Sequence, residues 1–266
     1  HPTPDARRPT TPNGDIVRLA TSLGAFALVL FAGSPAFAAD LPGGGGSSPI
    51  NLIVILAALA VLPFLLIMVT SFVKVAVVLS ILRQAIGAQQ VPPNQVITGL
   101  AIVLSLYIMA PVGYAIFDQI SPQLDKMQKE DVELSFDDVQ TMSTEGVKPL
   151  RRFLATHADP EERQLLWELA VELRRPQQRL DVSHDNLLVL VPAFVVTELK
   201  EAFTIGFILF VPFIIIDLVV ANVLLSLGMH MLSPTTVSLP FKLLLFVLVD
   251  GWFLVVKGLV LGYAPT

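Results

Sequence analysis

Four long apolar stretches alternate with polar segments along the chain, over residues 50–73, 96–117, 187–229 and 237–263. Each is near or above the ~20 residues that an α-helix needs to cross a bilayer. The pattern predicts an all-α, membrane-associated fold of long helical hairpins, one over residues 50–117 and a second helical region over residues 187–266. Kinks are expected at the prolines inside the stretches, which are Pro63, Pro111, Pro192, Pro212 and Pro240.

A charged block over residues 118–186 separates the two apolar regions. It holds 15 acidic and 9 basic side chains, 24 of the 39 charges in the sequence. Asp159 is placed to cap a helix that starts at Pro160 and carries Glu162 in its first turn. We therefore expect a small amphipathic helical insertion with a solvated charged face. Its apolar face is formed by Leu165, Leu166, Leu169 and Leu173.

Residues 1–39 have the pattern of a secretory signal peptide. Three arginines precede an apolar run over residues 23–31, and Ala36-Phe37-Ala38 is a small-residue cleavage motif. An uncleaved anchor is the alternative. Residues 40–49 are rich in glycine and serine, which predicts a flexible linker. Cleavage after the signal would leave the mature amino terminus outside the cytoplasm.

The turn after the first apolar stretch is predicted to face the cytoplasm. Lys74 and Arg83 flank it without a nearby acidic residue, as the positive-inside rule requires. Pro92 and Pro93 break the helix there. Counting spans from an external amino terminus then places the charged insertion outside the cytoplasm as well.

Composition argues against several classes of protein. The formal net charge is −5 and no basic stripe occurs, so nucleic-acid binding is not expected. The chain has no cysteine and therefore no disulfide, thiolate metal site or cysteine nucleophile. No glycine-rich phosphate loop is present, and we expect no cofactor.

Charged side chains lie inside or between the last two apolar stretches. A charge at the middle of a bilayer costs at least ~2.5–3.5 kcal/mol on insertion scales, so these groups need partners. The partners belong either to other subunits or an aqueous path, or to an ion-pair set within one bundle. Asp250 and Lys257 are seven residues apart on one helical face, too far to touch each other. The charged residues are Glu198, Lys200, Glu201, Asp217, Lys242, Asp250 and Lys257.

Six motifs in order along the chain are specific to one family. They are Thr70-Ser71-Phe72, LRQAIGAQQVPPNQV at 82–96, ELKEAFxIGF at 198–207, Pro212-x4-Asp217-Leu218-Val219, Leu239-Pro240-Phe241-Lys242-Leu243 and Val249-Asp250-Gly251-Trp252. Together they resemble the FliP/SctR family, the export-gate subunit of flagellar and virulence type III secretion systems. The resemblance covers residues 50–263.

The resemblance implies a homopentamer that joins FliQ/SctS-like and FliR/SctT-like subunits in a helical, cone-like channel. Much of the chain would lie on the periplasmic side of the inner membrane, with FlhB/SctU-like and FlhA/SctV-like export components nearby. Unfolded protein substrates would cross it, driven from elsewhere in the machine, so no enzymatic activity is expected. The charges in the apolar stretches would then be inter-subunit pairs.

The family's methionine-rich gate loop corresponds to residues 228–234. Flexible thioethers can close around an irregular passing chain. Here Met229 and Met231 flank His230, where the family commonly has three consecutive methionines. The resemblance therefore makes these three residues the gate, with His230 as a departure that puts the pH independence of the seal in doubt.

The sequence contains motifs of both the flagellar and the injectisome branch of the family, and it favours the injectisome slightly. Pro93-Asn94-Gln95 and the signal-like start resemble flagellar members, whereas residues 199–203 and 257–263 are closer to injectisome members.

Two other classes of function have partial support in the sequence. An intramembrane aspartyl protease could use Asp217 and Asp250, but a shared-proton dyad needs adjacent carboxylates, and Lys242 and Lys257 are better partners. A copper transporter could use Met229-His230-Met231, but no second Met or His cluster occurs.

Overall fold

The computed structural model describes residues 49–87, 92–130, 136–174 and 183–264. The predicted signal peptide and nearly all of the predicted linker lie outside these ranges. Eight helices and no strand occur within them, which confirms the all-α prediction for this part of the chain. The helices are α1 (Pro49–Met68), α2 (Phe72–Ile86), α3 (Asn94–Glu130), α4 (Phe136–His157), α5 (Pro160–Glu172), α6 (Leu187–Ser226), α7 (Pro234–Leu248) and α8 (Gly251–Leu261).

These helices form two units. One contains most of α1 with the second half of α3 and most of α4. The other contains α2, the first half of α3, the last turn of α4 and the helices from α5 to α8. All the side chains discussed below belong to this second unit.

The short helix α2 is enclosed by other helices of the second unit. Its buried side chains recur every three or four residues, at Val75, Val78, Leu79, Leu82 and Ala85. They form one hydrophobic core with side chains of α3, α6, α7 and α8. Those partners are Ile97, Ala101, Leu104, Ile108, Ala202, Phe213, Phe246, Val255 and Leu259.

The first apolar stretch, residues 50–73, does not form a single helix. The Thr70 hydroxyl donates to the Ile67 carbonyl at 3.2 Å and accepts from the Phe72 N–H at 3.4 Å. Such local side-chain bonds compete with the helical ladder, and α1 ends before them. The buried Ser71 hydroxyl then bonds that of Ser105 in α3 at 3.2 Å.

The last two apolar stretches fold differently from each other. Glu198 and its charged neighbours do not interrupt α6, because side-chain charge leaves the backbone hydrogen bonds intact. Residues 237–263 instead divide at Asp250, which has the left-handed conformation (φ 51°). The axes of α7 and α8 meet there at 59°. A Cβ atom on Gly251 would lie 2.2 Å from the Phe246 ring, so this joint requires glycine.

Two described helices are long and apolar enough to cross a membrane, Asn94–Pro122 within α3 and α6 itself, and α7 with α8 adds a third if the bent pair is one span. Within the most apolar 18 residues of α6, only 11% are buried inside the chain. Most of this helix therefore presents apolar side chains outward.

Gly206 allows α6 to approach α2 closely. A Cβ atom there would lie 2.4 Å from Ile81 Cδ1. We expect Gly206→Ala to lower the free energy of unfolding by ~1–3 kcal/mol, because the core has no room for the methyl group. The midpoint of thermal unfolding in detergent measures this loss.

Two variants control the Gly206 experiment. Ile81→Val in the same chain removes the clashing Cδ1 atom and should restore part of the stability. Gly99→Ala in α3 should be neutral or slightly stabilising, because no atom lies within 4 Å of the added Cβ. Equal losses of unfolding free energy in Gly206→Ala and Gly99→Ala would contradict the close approach of α6 to α2.

Candidate functional site

A buried charge cluster joins α2, α6 and the carboxyl-terminal residues. Lys74 Nζ lies 3.1 Å from Glu198 Oε1 and 2.6 Å from Glu201 Oε2. The same ammonium lies 4.2 Å from the centre of the Tyr263 ring. The Tyr263 hydroxyl donates a hydrogen bond to Glu198 Oε2. One cation thus holds two carboxylates, and an aromatic ring covers it.

Burial differs across this cluster. The side chain of Glu198 is 0% exposed and that of Lys74 4%, whereas that of Glu201 is 51% exposed. Glu198 Oε1 has Lys74 Nζ as its nearest charged partner, at 3.1 Å. Burial, followed by the nearby Glu198 carboxylate, raises the pKa of Tyr263, which keeps the phenol protonated and able to donate. The His157 ring packs on Tyr263, with 5.1 Å between ring centres.

Lys200 lies beside α5 instead. Its Nζ is 3.2 Å from Glu162 Oε1 and 3.8 Å from Asp159 Oδ2. The Asp159 N–H donates to Thr197 Oγ1 at 2.9 Å, and the Asp159 carboxylate accepts from the Glu161 N–H at 2.9 Å. The predicted cap of α5 is therefore present, and α6 holds it in place.

A second ion pair joins α6 to α7 and to the end of α2. Lys242 Nζ lies 2.6 Å from Asp217 Oδ2 and donates to the Ala85 carbonyl at 3.3 Å. Ser238 donates to Asp217 Oδ1. The Lys242 side chain is 3% exposed, and it also complements the carboxyl-terminal dipole of α2. Each Asp217 oxygen therefore has a partner on α7, Ser238 for Oδ1 and Lys242 for Oδ2.

Asp250 and Lys257 are both exposed, and neither makes an ion pair within the described residues. The Asp250 carboxylate does not cap α8. Lys257 Nζ lies 5.5 Å from the centre of the Phe253 ring, one turn earlier in the helix. These two charges therefore differ from the paired charges described above.

The loop between α6 and α7 begins with a Schellman turn. Gly228 has φ 73°, its N–H donates to the Leu225 carbonyl at 3.1 Å, and the Met229 N–H donates to the Leu224 carbonyl at 2.9 Å. The side chains that follow extend away from the protein. Met231 is 98% exposed and Met229 47%, and His230 is also exposed.

Sequence reasoning missed several members of these clusters. The positive-inside prediction treats Lys74 as a charge beside the turn without an acidic partner, and this is wrong because the residue is buried in α2 against Glu198 and Glu201. Lys74 lies next to Val75 and one helical turn before Val78, and this position in the sequence indicates that it belongs to the buried face of α2. Nothing local pointed to Tyr263 or Ser238. No group of three His, Cys, Asp or Glu side chains able to hold a metal ion occurs in the described part of the chain.

Comparisons with known proteins agree on one family. The model of the FliP family matches residues 55–259. The chain is 48% identical over 215 residues to "Yop proteins translocation protein R" of Yersinia pestis, covering 80% of this chain and 96% of that protein. It is 43% identical to "Harpin secretion protein HrcR" of Erwinia amylovora, covering 81% and 96%. It is 41% identical to "Flagellar biosynthetic protein FliP" of Bacillus subtilis, covering 82% and 93%.

The two carboxylates of the Lys74 cluster should respond differently to mutation. Lys74→Met leaves Glu198 buried without its cation, which should cost ~3–5 kcal/mol of unfolding free energy. Glu201→Gln should cost only ~0–1 kcal/mol, because this carboxylate is half exposed. Thermal unfolding in detergent compares the two variants.

A double variant tests whether the buried charge causes the loss. Lys74→Met combined with Glu198→Gln removes both charges and should be more stable than Lys74→Met alone. If the loss of stability in the double variant equals the sum of the losses in Lys74→Met alone and Glu198→Gln alone, the two groups do not interact.

Proposed function

This chain belongs to the FliP family, and on that basis we propose that it is an export-gate subunit of a type III protein secretion apparatus. The family match over most of the chain carries the proposal. The subunit is part of a channel that conducts unfolded protein substrates across the inner membrane, and it makes and breaks no covalent bond itself.

The injectisome branch is favoured over the flagellar branch. The chain is 48% identical to the Yersinia translocation protein and 41% identical to the Bacillus flagellar protein, over similar lengths. This difference supports a virulence or host-interaction system.

The partners are other copies of this chain, in a pentamer, together with FliQ/SctS-like and FliR/SctT-like subunits. Apolar side chains of α6, α7 and α8 that the chain itself leaves uncovered give such partners a surface to pack against. FlhB/SctU-like and FlhA/SctV-like components complete the export site. Representative exposed side chains are Phe203, Phe207, Leu218, Val247, Phe253 and Leu261.

The proposed location is the bacterial inner membrane, largely on its periplasmic side. In this arrangement residues 1–39 are a signal peptide and residues 118–186 form the extracytoplasmic insertion. Residues 50–117 and 187–266 form the channel wall. The apolar outward face of α6 supports membrane insertion of part of this wall.

The gate is the loop that carries Met229, His230 and Met231. Exposed thioethers on a helix-to-helix turn can fill a constriction and yield to a passing chain. Glu198, Lys200, Glu201, Asp217 and Lys242 stabilise the wall through the ion pairs described above. No contact among the described residues favours a copper transporter or an aspartyl protease.

The proposed assembly predicts the behaviour of the purified protein. Extracted in mild detergent, the chain should migrate as a multimer, and it should be most stable when produced with the two small partner subunits. Size-exclusion chromatography with light scattering measures the mass. A stable monomer under every co-production condition would count strongly against a channel subunit.

Replacing the gate side chains should open the channel without preventing assembly. Alanine at Met229, His230 and Met231 removes bulk but leaves the Schellman turn intact, so the complex should form and conduct small ions. His230→Met gives the three consecutive methionines common in the family, so this variant should leak less than the unchanged chain. Conductance in planar bilayers is the measurement. Tightly closed behaviour of every variant would place the gate elsewhere.

A further inference from the structure

When the charged side chains of α6, α7, α8 and the joint before α8 are matched into ion pairs, one acidic and one basic side chain of the described residues remain. Glu198 and Glu201 bind Lys74, Lys200 binds residues of α5, and Asp217 binds Lys242. Only Asp250 and Lys257, among the acidic and basic residues of these helices and their joint, have no ion pair in the described part of the chain.

Lys257 lies on the outer face of α8, and Asp250 lies at the exposed joint just before this helix. Gly251, Val255 and Leu259 form the buried face of α8. At 100° per residue Lys257 lies almost opposite that face. Apolar side chains surround them, since Phe253 and Leu261 are each 57% exposed. A charge on such a surface is expensive in lipid and needs a counter-charge.

The two charges do not satisfy each other within one chain. They are separated by seven residues, or about 10 Å along the helix axis. Lys257 reaches back only as far as the Phe253 ring. A second copy of the chain supplies the complement of both, because each copy presents one exposed acid and one exposed base about two helical turns apart.

We propose that Asp250 of one copy forms an ion pair with Lys257 of the neighbouring copy. A ring of copies in one orientation repeats one contact between each pair of neighbours, so the contact is head-to-tail and can continue around a channel. It requires α8 to be inclined to the ring axis, so that Asp250 of one copy is level with Lys257 of the next. This inference rests on the proposed function, because it requires copies that lie side by side.

Disulfide cross-linking tests the pair directly, because the chain has no cysteine of its own. The full-length chain carrying both Asp250→Cys and Lys257→Cys is produced with the other subunits, and its membranes are treated with copper–phenanthroline. The two positions of one chain are beyond the ~7 Å Cα separation that a disulfide tolerates, so every cross-link joins two copies. We expect a ladder of dimers, trimers and larger species on non-reducing gels.

The matched controls are the two single-cysteine chains, which should give little product. The proposal is overturned if either single variant cross-links as strongly as the double variant, because that would mean a contact between equivalent residues. It is also overturned if the intact complex is recovered and the double variant gives no ladder. Failure to recover any complex from the unmodified chain would instead contradict the proposed function.

Charge reversal gives an independent test. Asp250→Lys and Lys257→Asp should each lower the yield of assembled complex by at least about tenfold, because like charges then face each other. Producing the Asp250→Lys chain together with the Lys257→Asp chain should restore part of the yield, since each can pair with the other. A pair within one chain predicts no such rescue, and an absence of rescue therefore overturns the proposal.

Discussion

A buried ammonium group in an apolar protein needs a counter-charge, and the Lys74–Glu198 contact meets this need at the centre of the second unit. Glu198 lies in the same turn of α6 as Thr197 and Lys200, which hold the capped start of α5. The Tyr263 hydroxyl binds the same carboxylate. One turn of α6 therefore positions α2, α5 and the carboxyl-terminal residues together, and the buried pair fixes its register.

The helix α2 is held at both ends by lysine side chains. Lys74 connects its amino-terminal turn to α6, and Lys242 of α7 donates to the Ala85 carbonyl in its last turn. Between these points the buried side chains of α2 are apolar. Polar contacts thus specify where α2 sits, and hydrophobic burial supplies most of the stabilisation. Removing Lys74 leaves the fully buried Glu198 without its cation, whereas removing Lys242 leaves an Asp217 side chain that is 35% exposed and still bonded to Ser238. We therefore expect the Lys74 end to be the more sensitive to mutation.

Local signals in the sequence predicted local structure. The helix class follows from apolar stretches, and the cap of α5 follows from Asp159 and Pro160. The break before α2 and the joint at Asp250 were missed because they depend on side-chain hydrogen bonds and on the Phe246 ring. The partners of Lys74 and Lys242 could not be predicted, since periodicity does not say which helices meet. The gate role of Met229, His230 and Met231 stays a prediction from the family.

The loop after α6 combines a fixed backbone, the Schellman turn at Gly228, with exposed side chains that can move. Two backbone hydrogen bonds hold its first residues to the end of α6, while the Met231 side chain is almost fully exposed. Exposed side chains change rotamer within picoseconds to nanoseconds, whereas loop backbones rearrange more slowly. A barrier made of such side chains would adapt to each passing residue of a substrate and refill the gap behind it. The tightness of the barrier during transport would then depend on the speed of rotamer exchange, without a separate closing step.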